Sequence, residues 1–187
     1  MCSSDLGDYS SIVPLIPTGK GTSASHLSWT DDKFVEGEAS IIEISGVYKK
    51  YHCPMARTVL LGKPDQKKID TMKRTREALQ AGIDLTKPGN TADDVAQAFW
   101  KVLDKYGIEK KSRTGYSIGI GYPPDWGEHT LNIQKGDKTV LQKNVCFHMI
   151  AVMQFGEWGV ESSESIRVSD NGAENFYKFP DELHIKG

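Results

Sequence analysis

The stretch SIIEISGVYKKYHCPMARTVLLGKP, residues 40–64, places two apolar runs around a polar turn. The runs at 40–47 and 55–61 have strand length and composition, and together they predict an antiparallel hairpin. Side chains alternate across a strand, so Ile42 and Ile44 share one face and Glu43 lies on the other. A carboxylate there either meets solvent or lines a pocket. The first outcome makes the hairpin a plain sheet edge, the second the wall of a reaction site.

Upstream, residues 12–29 read IVPLIPTGKGTSASHLSW, an apolar segment with two prolines running into a Gly/Ser/Thr-rich loop around His26. Small residues beside a histidine let the backbone approach a ligand closely. On residues alone, a surface loop with an incidental histidine is the plainer interpretation. Downstream, residues 64–85 have helical character, with Ile69, Met72, Leu79 and Ile83 near one face. Thr91 followed by Asp94 marks a capped second helix. Val95, Phe99, Val102, Leu103 and Tyr106 form its apolar stripe, and Gly107 its stop.

Residues 115–131, GYSIGIGYPPDWGEHTL, have neither helical nor strand period throughout. The glycine spacing is wrong for a dinucleotide fingerprint, and YPPDWG cannot open a helix. Such aromatic-rich segments either line ligand pockets or form long structural loops. Then VCFHMIAVMQF, 145–155, predicts a buried strand carrying His148, and GVESSESIRV, 159–168, a second carrying Glu161 and Glu164. Asn171-Gly172 is a turn, and 183–185 a short last strand. The class is mixed α and β in one domain.

With 187 residues, 38% hydrophobic, 26% charged and a net charge of −2, the chain shows no electrostatic footprint for nucleic acid or an anionic membrane. No apolar run reaches the roughly 20 residues that span a bilayer. Cys2, Cys53 and Cys146 are few and widely spaced, against a disulfide framework or a structural zinc site, and fit a reducing cytoplasm. No HExxH or GxSxG motif is present. What remains is a set of strand carboxylates (Glu43, Glu161, Glu164) with two histidines (His26, His148), a pairing suited to cleaving C–N or C–O bonds.

The order of segments adds to this. A glycine loop ending in histidine, a hairpin ending ARTVLLG, two helices, then FHMI and GVESSES resemble the creatinase, prolidase and methionine aminopeptidase superfamily. The resemblance runs from about Ile12 to the C-terminus. It implies an α+β pita-bread catalytic domain at 7–187, incomplete at its N-terminus. The string CSSDL within residues 1–6 separately marks an artefactual or disordered leader. Metal-dependent members bind two ions through five side chains. Those positions fall here at Glu43, Pro54, Tyr116, Ile150 and Ser163, so the resemblance implies no metal, no cofactor and no metallopeptidase activity.

FVEGEASIIEISGVYKKYHCPMARTVLLGKP, SRTGYSIGIGYPPDWGE and WGVESSESI are similar to the metal-free ectoine hydrolase branch. That branch implies a hydrolase opening a cyclic amidine, with Glu43 as nucleophile and His26, then His148, as proton shuttle. Glu161 or Glu164 would hold the ring nitrogens, with Tyr116 and Trp126 as an aromatic wall. It further implies a small zwitterionic substrate and a cytoplasmic homodimer of the full-length protein. A creatinase-like amidinohydrolase and a non-catalytic pita-bread binding module are the alternatives.

Overall fold

A computed structural model of the chain describes residues 7–24, 26–28, 30–180 and 182–187. The expected leader at 1–6 lies outside the described residues. The opening hairpin pairs β1 (Ala39–Tyr48) with β2 (Tyr51–Leu61), in a register that sets Glu43 opposite Ala56 and Tyr48 opposite Tyr51. The turn is tighter than the sequence implied. Lys49 and Lys50 take φ of 50° and 66°, the left-handed pair that matches strand twist in a two-residue loop. The residues between the two apolar runs therefore belong to the strands, Pro54 included.

Two helices follow. In α1 (Gln66–Asp84) Asp65 caps the N-terminus by accepting from the Lys68 N–H. In α2 (Ala92–Lys105) Thr91 and Asp94 form a reciprocal capping box, as their spacing predicts. The buried face of α2 carries Val95, Phe99, Trp100 and Leu103, and that of α1 carries Met72, Ala78 and Leu79.

The glycine-rich segment is not irregular. It forms a second hairpin, β3 (Gly115–Tyr122) and β4 (Asp125–Ile133), turned by Pro123-Pro124. The apolar alternation is broken because several positions must be glycine for contact reasons. A Cβ on Gly121 would lie 2.9 Å from the Trp126 Cα, and one on Gly115 would lie 2.9 Å from the Met149 Sδ. Next come β5 (Cys146–Gln154), β6 (Gly159–Ser169), β7 (Gly172–Asn175) and β8 (His184–Lys186).

These strands form one sheet in the order β1-β2-β3-β5-β6-β7, with β4 on β3 and β8 on β2. β2 and β3 are joined in register only at Tyr51 and Ile120, so the sheet curls there. Side chains close the curl where β2 approaches β6. The Thr58 hydroxyl donates to the Glu161 carbonyl at 2.8 Å and accepts from the Glu161 N–H at 2.7 Å. The Ser165 hydroxyl donates to the Pro54 carbonyl at 2.6 Å, and the Ala56 N–H donates to Ser163 Oγ at 2.7 Å. This explains why so buried a strand as β6 is rich in serine: the stretch of β2 between its pairings with β3 and β8 needs short side chains that donate and accept.

Outside the curl, α1 and α2 pack on Phe147, Met149, Ala151 and Met153 of β5 and Val160, Ile166 and Val168 of β6. Alternation sends Cys146, His148, Ile150 and Val152 of β5 to the concave side. Among the described residues no helix is long and apolar enough to cross a membrane.

Candidate active site

Glu43 reverses the usual order of a surface strand: it is 7% exposed, while its neighbour Ile42 is 39% exposed. Of the two outcomes open from the sequence, the structure takes the pocket. The main chain of Glu43 is held on both edges, opposite Ala56 on β2 and through a pair of 2.9 Å hydrogen bonds exchanged with Leu15. The segment around Leu15 thus borders β1, and the carboxylate opens onto a cavity of about 700 Å³. Glu161, Tyr116, Trp126, His26 and Arg113 line the same cavity.

Burial acts strongly on this set. It raises the Glu43 carboxyl from 4.5 to about 7. Glu161 is pushed well above the ordinary range, first by burial and then by the Glu43 charge, with Lys110 opposing. Lys110 is itself lowered by burial, to about 8. Two carboxylates in one poorly hydrated cavity resist ionising together, so near neutral pH the site holds a proton it would release on meeting a cation.

His26 is exposed at the cavity mouth and takes φ of 66°, unusual for a residue with a side chain. His148 is placed differently. It is fully buried behind the wall, and desolvation lowers it to about 3. Its Nδ1 lies 2.9 Å from the Tyr116 hydroxyl and its Nε2 lies 2.7 Å from Ser163 Oγ. The Trp126 Nε1–H donates to the Tyr116 oxygen at 2.6 Å. The structure corrects the expectation of His148 as second proton shuttle: it touches the wall residues, not the cavity. Tyr116 and Trp126 both line the cavity, hydrogen-bonded to each other, and Tyr116 is bonded to that histidine.

Glu164 is a second correction. It does not line the cavity with Glu161 but pairs with Arg57 at 2.5 Å, with both side chains 5% exposed. Residues three apart on a strand point to opposite faces, so only one of the two glutamates could face inward. That signal was available in the spacing. Arg113 had none, since its part in the cavity depends on residues far from it in sequence. Its guanidinium stacks on the Tyr116 ring at 4.5 Å and donates to Asn132 Oδ1.

The five metal positions implied by the resemblance can be tested as a donor set. Pro54 and Ile150 offer no side-chain donor, and Ser163 Oγ is engaged by the Ala56 N–H and His148. Glu43 and the neutral hydroxyl of Tyr116 remain, and among the described residues no group of three or more His, Cys, Asp or Glu could hold a metal ion. The residues present do not fit a two-metal centre.

A model of metallopeptidase family M24 matches residues 1–171. The chain belongs to metallopeptidase family M24. Its curated relatives include ectoine hydrolase of Halomonas elongata, 44% identical over 181 residues, which are 96% of this chain and 45% of that protein. The M24 chain thus spans about half the length of the curated relatives it matches. Among solved structures, dipeptidase PepE from Mycobacterium ulcerans aligns with a TM-score of 0.85 at 25% identity, covering 96% of this chain and 48% of that one. Prolidase from Pyrococcus furiosus aligns with a TM-score of 0.85 at 20% identity, covering 94% of this chain and 52% of that one. These likenesses bear out the pita-bread architecture. They also set an M24 fold whose relatives include peptidases beside a donor set that departs from the two-metal pattern.

Proposed function

We propose that this chain carries the site of a metal-independent hydrolase that opens a cyclic amidine of the ectoine class. The observation that carries the proposal is the pairing of Glu43 with Glu161 in one buried cavity, beside an aromatic wall. A planar, delocalised amidinium satisfies both needs of that cavity. It neutralises the carboxylates, and its flat faces stack on rings. The 44% identity to ectoine hydrolase supports the same substrate class.

Binding of the cation ionises Glu43, which then adds through a carboxylate oxygen to the amidinium carbon. In the tetrahedral adduct one ring nitrogen takes a proton from His26 and leaves with the C–N electron pair, opening the ring. Water then attacks the substrate carbon bound to Glu43, restoring the carboxylate and releasing an N-acetylated diamine. Glu161 holds the ring N–H groups, and Arg113 at the cavity edge takes the substrate carboxylate. An open-chain guanidinium would use the same carboxylates, which keeps a creatinase-like amidinohydrolase as the second candidate.

The test uses full-length protein stripped of metal. Ectoine, hydroxyectoine and creatine are offered in turn, and ring opening or hydrolysis is followed by mass. Turnover of the ring compounds is expected. Repeated failure across folded preparations removes the amidine assignment, and turnover of creatine alone replaces it with the second candidate.

A further inference from the structure

Four side chains run in one hydrogen-bonded line behind the cavity: Trp126, Tyr116, His148 and Ser163, ending on the Ala56 N–H. Their geometry leaves two ways to distribute the protons. In one, the Tyr116 hydroxyl donates to His148 Nδ1, and Nε2–H donates to Ser163 Oγ. Ser163 Oγ then accepts twice, since it already takes the Ala56 N–H at 2.7 Å. Its own proton is left in a fully buried place with no acceptor among the described residues.

In the other, Ser163 donates to Nε2, and Nδ1–H donates to the Tyr116 oxygen. That oxygen also accepts from Trp126 Nε1–H, so both its lone pairs are used. Every buried group is satisfied, and the one free proton is that of the Tyr116 hydroxyl, whose residue lines the cavity. Buried polar groups left unpaired are costly, which selects the second arrangement. The ordering starts at Ser163 and Ala56, far in sequence from the tyrosine it orients.

We propose that His148, held as its Nδ1–H tautomer by Ser163, fixes the Tyr116 hydroxyl as a hydrogen-bond donor directed into the cavity. Resting on the amidine reading, this donor has a defined moment of use. The nitrogens of an amidinium have no free lone pair and cannot accept. When Glu43 bonds to the carbon between them, both become amine nitrogens with lone pairs. Tyr116 then gains an acceptor that the bound substrate lacks, so its contribution falls on the reaction step and not on binding. His148 is a positioning residue in this scheme, and Tyr116 the group that touches substrate.

The tautomer can be read without any substrate. Full-length protein labelled with ¹⁵N-histidine is examined by long-range ¹H–¹⁵N correlation, with His148 assigned by its loss in His148→Gln. The expected pattern is a protonated Nδ1 and a bare Nε2, with Ser163→Ala shifting it toward Nε2–H and Ser163→Thr restoring it. A wild-type Nε2–H pattern overturns the proposal. Steady-state kinetics read the second part: Tyr116→Phe and Ser163→Ala are expected to lower kcat at least tenfold with KM within about threefold. An unchanged kcat in Tyr116→Phe also overturns it. If wild-type protein opens no amidine while the Nδ1–H tautomer is found, the hydrolase reading fails and the directed hydroxyl stands.

Discussion

Glu43 on β1 and Glu161 on β6 face one cavity across the curled sheet, and the Glu43 charge strengthens the hold of Glu161 on its proton. With Glu43 raised to about 7, its carboxyl is about half ionised at neutral pH. Under the proposed mechanism, in which the ionised carboxylate attacks, kcat/KM is expected to climb with pH through a limb near that value. The limb is set by burial of Glu43 and not by the Glu161 charge, so Glu161→Gln should leave it in place while weakening binding of the cation. A limb that moves in that variant would make the Glu161 charge a cause.

The same burial has a stability sign. The folded chain holds the Glu43 proton more tightly than the unfolded chain, at about 7 against 4.5. Below the lower value both states are protonated and nothing is lost. Stability falls as pH rises between the two values, and the whole penalty is present above the upper one. Glu43→Gln should accordingly be more stable than wild type by on the order of 3 kcal/mol near pH 8, and equal to it near pH 4. Urea midpoints at the two pH values check this, and an inactive variant that is also stabilised marks a site kept for function.

Arg57 and Glu164 form a closed structural unit, in which the guanidinium also donates to the Ser163 carbonyl at 2.6 Å. Removing one partner strands a buried charge, so Glu164→Ala should cost about 3–5 kcal/mol. The expected result is a lower denaturation midpoint in folded protein whose pH limb is unmoved. A shifted limb with unchanged stability would return Glu164 to the reaction site.

Much of this could be read in the chain before any coordinates. The first hairpin, the Thr91–Asp94 box and strands β5 and β6 follow from local pattern, because each rests on contacts close in sequence. The β3–β4 hairpin was hidden because its glycines answer to Met149 and Trp126, which local periodicity cannot show. Glu43 could be singled out, but not whether its face was wet. That depended on Leu15 and Glu161, brought up from both ends of the chain. His148 was read as chemistry because a buried strand histidine carries no mark of its partners. Tyr116, Trp126 and Ser163 reach it only across the sheet.

Arg113 lines the cavity that also holds Glu43 and Glu161, a set of charges that suits a zwitterion. Comparing ectoine with the same ring lacking its carboxylate tests it directly. Wild type should prefer the carboxylated ring, and Arg113→Gln should erase most of that preference by raising KM about tenfold or more, near the 1.5–3 kcal/mol of a charge-assisted hydrogen bond. Arg113→Lys, which keeps the charge and loses the planar fork, should fall between. A preference that survives Arg113→Gln would assign the substrate carboxylate to another group.

Metal dependence gives the sharpest separation from the peptidases that share the fold. Pro54 and Ile150 supply no donor where two metal ions would need carboxylates, and Ser163 Oγ is already occupied. Chelation should therefore leave amidine hydrolysis within about twofold of its starting rate, and added Mn²⁺ or Co²⁺ should not raise it, because no bridging carboxylate set is present. The restoring experiment is stricter. Pro54→Asp, Ile150→Glu and Ser163→Glu together would join Glu43 in a set of four carboxylates but break the Ala56 and His148 hydrogen bonds to Ser163. Such a variant should bind divalent metal by calorimetry and lose hydrolysis of the ring. Loss of activity on chelation of the wild-type protein, recovered by adding metal, would overturn the carboxylate mechanism outright.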